Sequence, residues 1–168
     1  MAKPRYPAHQ NDPSGKPLCR GCGAPVPRGR QTWCSSNCYE TRCPQRVIYH
    51  VEQRDRGICA RCGTDTEALH RSCRFVDHDH HGRPLSPAAR TIAWREAQAR
   101  AKELHALGWP DGCRRWWEGD HIMPHSEGGE MVLENIRTLC TLCHKQRTRT
   151  WHRIKSEDRK GILSLPGI

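Results

Sequence analysis

The stretch WEGDHIMPHSEGGEMVLENIRTLCTLCHKQRT, residues 117–148, decides how the rest of the chain is read. It sets an Asp-His pair, Asp120 and His121, ahead of a Gly-Gly turn. An Asn follows at 135, then a CxxC pair, Cys140 and Cys143, with His144 directly after it. A hydrophobic core packs with Leu, Ile and Val and has no use for such groups. A site that binds a metal and works on a phosphodiester uses nearly all of them.

Composition agrees with a small, metal-held fold. Only 35% of the 168 residues are hydrophobic and there is one Phe, so no large core is available. Loop-rich chains of this kind need staples, either disulfides or metals. Eight of the eleven cysteines fall into paired spacings that suit metal binding. The opening residues MAKPRYPAHQ contain no apolar run. A reducing cytosol with zinc-bound thiolates is therefore expected over a secreted disulfide scaffold. No run of about 18 apolar residues exists, so no membrane span is expected. The net charge of +10 fits a polyanionic partner, because Lys and Arg on phosphates release condensed counterions. Charge alone does not separate DNA from RNA or from an acidic protein.

Upstream of the central stretch, residues 1–17 carry four Pro and read as a disordered basic lead-in. Residues 18–43 form a four-cysteine zinc module, Cys19-x2-Cys22 followed by Cys34-x3-Cys38. The intervening residues suit a short hairpin with Arg28 and Arg30 at its tip. Cys43 is either a substitute ligand or a free thiol. Residues 44–58 have helical spacing, opened by Pro44 and closed near Gly57, with Arg54 and Arg56 expected to be solvated.

Cys59 and Cys62 make a third pair, and the next is Cys140 with Cys143. One zinc bridging these four thiolates is expected, with a long helical insertion at about 74–116 between them. Such a site contributes on the order of 10 kcal/mol to folding. Within the insertion, DHDHH at 77–81 could bind metal, but its bland reading is a solvated polar loop or a shell around the true site. Residues 86–107 are the clearest helix: Ser86 caps, Pro87 sits first, a thin mostly-Ala stripe recurs, and Gly108 terminates. Trp109, Trp116 and Trp117 beside Arg114 and Arg115 could stack bases or could cover a small core. The last helix continues through Arg149, Trp151, Arg153 and Lys155 into a flexible tail at 156–168.

The segments CARCG (59–63), GDHIMP (119–124), GG (128–129), LENIRTLC (133–140) and CTLCHKQRT (140–148) resemble, in order and largely in spacing, the HNH endonucleases, the ββα-metal nucleases. The resemblance covers about a third of the chain, residues 44–63 and 117–148. It implies a small, zinc-stapled α+β fold: a ββα-metal core, treble-clef-like, with a helical insertion and a separate N-terminal zinc module. The nuclease domain would run over 44–155. The implied activity is metal-dependent DNA hydrolysis, with RNA not excluded. His121 would be the general base on water, since an imidazole with its ordinary pKa near about 6.5 is mostly neutral at pH 7. Asp120 and His144 would hold Mg2+ or Mn2+, a cation that takes oxygen ligands and keeps waters. Asn135 would fix the loop and orient His121. Cys59, Cys62, Cys140 and Cys143 would carry structural zinc, as would Cys19, Cys22, Cys34 and Cys38. Lys145, Arg147 and Arg149 on the last helix, with Arg114 and Arg115, would contact phosphates. The role of His125 stays open between metal ligand, phosphate contact and neither. Glu118 and Glu127 are expected to be solvated.

The rival is a zinc-stapled nucleic-acid-binding module or adaptor that does not cut. A protein partner could dock through the N-terminal module or the 86–107 helix. The expected setting is the cytoplasm, nucleoid-associated or phage-encoded. Oligomeric state is not legible in the sequence.

Overall fold

The structure is a computed structural model that describes residues 10–111 and 115–159. Arg114 and Cys113 lie outside the described residues, as do the first nine residues and those beyond Arg159. The element order is α1 (Ser36–Arg42), α2 (Pro44–Asp55), α3 (Thr66–Arg71), α4 (Pro87–Ala106), β1 (Trp117–His121), β2 (Ile136–Cys140) and α5 (Thr141–Arg159). Two 3-10 turns, His125–Glu127 and Leu133–Asn135, lie between the strands. The result is a small α+β chain whose described sheet has two strands, β1 beside β2. Backbone bonds bracket the pair, Ile122 N–H to Asn135 O and Thr141 N–H to Trp116 O, so the strands run antiparallel with Asp120 opposite Arg137.

The chain divides into two compact units. One joins the described residues up to Asp55 with Gly119–Arg137. The other joins Arg56–Glu118 with the residues from Thr138 onward. The four-cysteine segment thus shares a unit with the strand-to-strand loop.

In the first unit, Asp12 closes a turn by accepting the N–H groups of Ser14 and Lys16, and Asn11 bridges Pro17. Residues 11–17 of the expected lead-in therefore form a hydrogen-bonded turn. Cys19, Val26 and Cys38 form a small buried cluster with Trp33 and Cys34 packed on it. α1 starts where the Ser35 hydroxyl accepts the Cys38 N–H at 3.0 Å, a helix too short to show a periodic pattern. Pro44 then opens α2, as expected. Its Val47 and Val51, one turn apart, are fully buried. Ile48 lies where a Cβ on Gly119 would have to go, so that glycine allows helix and strand to approach. Arg54 is exposed, as expected, and also donates to the carbonyls of Leu133 and Ile136 at 2.9 and 2.7 Å, with its guanidinium paired to Asp55.

In the second unit, the core comprises Cys59, Leu104, Trp109, Trp116, Leu139 and Cys140. Trp109 stacks on Trp116 with centroids 5.3 Å apart, and Trp117 is buried with its Nε1 donating to Glu67. These three Trp cover core rather than present a base-stacking face. The Ser86 hydroxyl caps α4 by accepting the Ala89 N–H, and the helix buries only Ala97 and Leu104, matching its thin stripe. Asp79 spends both carboxylate oxygens on its own loop, accepting from His81 N–H, Arg83 N–H and Arg83 Nε. The DHDHH segment is thus a hydrogen-bonded turn. No described helix is long and apolar enough to cross a membrane.

Leu139 is fully buried in this core. Leu139→Ala should lower unfolding free energy by about 2–5 kcal/mol in denaturant titration.

Candidate active site

Two knuckles of the same construction present the cysteines. In each, the first Cys N–H bonds a carbonyl five residues on, and the glycine after the pair returns its N–H to the first Cys. The bonds are Cys19 N–H to Ala24 O with Gly23 N–H to Cys19 O, and Cys59 N–H to Thr64 O with Gly63 N–H to Cys59 O. Gly23 and Gly63 adopt φ of +72° and +71°, which a side chain would disfavour.

The sulfurs of Cys19, Cys22, Cys34 and Cys38 lie within 4.8 Å of one another, and so do those of Cys59, Cys62, Cys140 and Cys143. A tetrahedral zinc with bonds of about 2.3 Å would set sulfurs about 3.8 Å apart. The separations Cys19–Cys38, Cys22–Cys34 and Cys62–Cys140 are 3.4, 3.5 and 3.8 Å. Both tetrads therefore fit zinc. Cys43 stands outside the first, its thiol meeting Gln45 Oε1 at 3.2 Å, so it substitutes for no ligand. The second tetrad gathers its halves through the Ala60 N–H, which donates to Thr138 O of β2 at 2.8 Å. Cys140 ends β2, and the Cys143 N–H points at its sulfur at 3.4 Å.

Each tetrad contains one acidic thiol. Burial alone would raise Cys19, but the N–H groups of Cys34, Cys22 and Gly21, with the Cys38 thiol, hold it down to about 6. The Thr64 hydroxyl and N–H draw Cys62 down to about 6. Cys38 and Cys143 are pushed up, first by burial and then by neighbouring thiols. A thiolate is thus in place at neutral pH to receive a cation, and the remaining protons leave as metal binds.

Between the strands, Asn135 clamps the loop. Its Oδ1 accepts the Met123 N–H at 2.9 Å, and its Nδ2 donates to Met123 O and Glu130 O at 3.1 and 2.9 Å. Donor and acceptor on one planar group make this two-sided grip possible. Gly129 is the other requirement, since a Cβ there would lie 1.9 Å from Met123 O. Asp120 is buried at the end of β1, and its Oδ2 accepts from Arg137 Nε at 3.0 Å across the strand pair. His121 is half-buried, with its ring edge-on to His125 at 6.4 Å between centroids. Asp120, His121 and Asn135 belong to the first unit.

His144, Lys145, Arg147, Arg149 and Arg115 belong to the second. His144 lies in the first turns of α5, and its Nδ1 meets Glu118 Oε2 at 3.3 Å. Glu118, expected only as a solvated residue, has this pairing as well. Lys145 and Arg149 are exposed on α5, and the Arg115 guanidinium stacks over Trp117 at 4.9 Å. Sequence reasoning missed Arg137, Arg54 and Glu118. The first could have been found from register, once Ile122 was paired with Asn135.

The chain carries an Asp-His strand end and an Asn-clamped loop in one unit and a CxxC-His helix start in the other. Residues 108–150 match the HNH endonuclease family, and the chain carries an HNH endonuclease domain there. Cys59 and Cys62 lie upstream of the matched residues and join the domain through their tetrad.

The chain is similar to the DNA annealing helicase and endonuclease ZRANB3. It is 32% identical to the Mus musculus protein and 26% identical to the Homo sapiens protein, over 92% and 91% of this chain. The chain spans 15% of the length of either relative. It is also 38% identical to anaredoxin of a Nostoc species over 56 residues, 30% of this chain and 68% of that protein. No solved structure matches it.

Purified protein should carry two zinc ions per chain by metal analysis. Once it is stripped, Cys62 should alkylate first at pH 7, as mapped by mass spectrometry. Its rate should fall as pH drops through about 6, because the lowered thiol is thiolate above that value and protonated below it. Gly129→Ala meets backbone that cannot yield, and Asn135→Ala removes the clamp. Each should destabilise by about 1–3 kcal/mol and broaden the amide signals of residues 122–130.

Proposed function

We propose that this chain is a metal-dependent endonuclease segment that hydrolyses DNA phosphodiester bonds. The observation that carries the reading is the Asn135 grip on both polar groups of Met123, directly after Asp120 and His121 and inside the residues matched to the HNH family. A binding module has no need to immobilise that loop, whereas a general base has to be held within hydrogen-bond reach of its water. DNA as substrate comes from the ZRANB3 relatives, whose name includes both DNA and endonuclease. RNA cleavage is an outcome the assay below distinguishes.

In this reading His121 takes the proton from the attacking water, and the clamped loop keeps its imidazole aimed. Asp120 and His144 would hold Mg2+ or Mn2+, an oxygen-nitrogen donor pair that suits a hard cation retaining several waters. When bound, the cation supplies positive charge for the phosphate and the departing 3′ oxygen. Arg137 orients the Asp120 carboxylate through one oxygen. Glu118 orients the His144 ring through Nδ1, a carboxylate–imidazole pairing of the sort that fixes a ligand's tautomer. Lys145, Arg147, Arg149 and Arg115 supply cationic contacts to flanking phosphates. Products with a 5′ phosphate and a 3′ hydroxyl are expected by family analogy. The fold would be the zinc-stapled ββα-metal type, working in a reducing compartment that keeps both tetrads as thiols.

Supercoiled plasmid, with Mg2+ or Mn2+, should be nicked or linearised, with structured RNA assayed in parallel. His121→Ala should keep both zinc ions and lose roughly 100-fold or more in rate. Full activity in that variant would remove His121 from the mechanism. Retained DNA binding with no cutting by the wild-type protein under any divalent ion would replace the nuclease by a binding module.

A further inference from the structure

The first zinc tetrad and the loop after β1 belong to one compact unit, and a continuous polar path joins them. Arg42, the last residue of α1, lies one helical turn beyond the tetrad ligand Cys38. Its Nη1 donates in two directions, to Gly21 O inside the first knuckle at 3.3 Å and to Glu130 Oε2 at 2.8 Å. Glu130 is the residue whose own carbonyl Asn135 grips at 2.9 Å, and Asn135 in turn holds Met123. Close packing keeps Arg42 in place at the knuckle: a Cβ on Gly21 would lie 2.9 Å from Arg42 Cβ, Cys38 Sγ and Trp33. The path therefore runs from sulfur ligands through Arg42 and Glu130 to the loop that follows His121.

We propose that the N-terminal tetrad, when loaded with zinc, positions the active-site loop through Arg42 and Glu130. The segment 18–43 is then a brace for the proposed reaction rather than a separate accessory. Arg42 and Glu130 are positioning residues, acting on the loop and touching no substrate. Both ends of the path are constrained, one by four thiols and the other by the Asn135 clamp, so the ion pair between them joins two ordered partners. The pair is itself partly exposed, Glu130 more than Arg42, but it differs from a pair between two mobile side chains, which contributes little. The proposal rests on the nuclease reading for its kinetic consequence, but its structural consequence stands apart from activity.

The test is hydrogen exchange on the full-length, zinc-loaded protein, followed by plasmid nicking. Arg42→Ala should keep two zinc ions, accelerate exchange across 122–130 by roughly fivefold, and leave the second knuckle at 59–65 unchanged. Replacing Cys22 and Cys34 with Ser should reproduce that pattern on the same loop. Arg42→Lys, which keeps a cationic donor at this position, should restore protection towards wild type. In nicking, Arg42→Ala should lower kcat by a similar factor with KM unchanged, and Arg42→Lys should recover part of it. Unchanged exchange at 122–130 in Arg42→Ala, or Arg42→Lys no better than Arg42→Ala, would overturn the brace. Wild-type protein that does not cut would remove the nuclease reading while exchange still decides the brace.

Discussion

Four sulfurs set the junction between β2 and α5. Cys140 ends the strand and Cys143 lies in the first turn of the helix, while Cys59 and Cys62 arrive from a knuckle much earlier in the chain. Two of these, Cys59 and Cys140, are also among the six buried residues of the second unit's core. The candidate metal site and the apolar core therefore share residues. With so little apolar surface to bury, conformational entropy is offset only if the thiols are drawn together as well. A metal-free chain would keep the Cys59 and Cys140 sulfurs buried beside Trp109, Trp116 and Leu139 with no cation to draw them together.

The two knuckles show which parts of such a fold are legible in sequence. Each is local: a pair of cysteines two residues apart, a glycine after the second, and backbone bonds that close within the same six residues. The helix over 86–107 is equally local, since Ser86, Pro87 and Gly108 mark its ends without help from the rest of the chain. A loop-fixing role for Asn135 is implied only by the family resemblance, since an Asn alone between two turns is more often a turn or cap residue.

Other elements depended on information that local spacing does not hold. Arg54 looks like one more solvated cation until α2 is laid against the start of β2, where two carbonyls accept from it. Asp120 meets Arg137, and His144 meets Glu118, only because a particular strand register and a particular helix entry exist. α1 and α3 are seven and six residues long, too short for a periodic pattern, and each is announced by a single capping side chain, Ser35 or Asp65. The Trp cluster could be read either way because a Trp beside an Arg suits a nucleic-acid surface and a covered core alike. Burial decides between them, and burial is a property of the whole unit.

The loop after β1 concentrates restraints of different kinds on few residues. Asn135 holds Met123 from one side, Gly129 admits the Met123 carbonyl from the other, and Arg42 holds Glu130 at the far end. Arg54 fixes the carbonyls of Leu133 and Ile136 on either side of Asn135, so the clamp itself is clamped. Exposed loops ordinarily carry backbone groups satisfied by water, which costs nothing and leaves them free to move. Here side chains from α2 and the loop's own end replace that water at several backbone groups, and Arg42 of α1 pairs with a loop side chain. Ordering a loop this way forfeits conformational entropy that a solvated loop would keep. Its return is in placement, because a reacting imidazole misplaced by about 1 Å loses much of its effect. The distribution of restraints around residues 121–135 therefore favours a site that does chemistry over one that only adheres to a charged polymer, for which cations on a mobile surface would be sufficient.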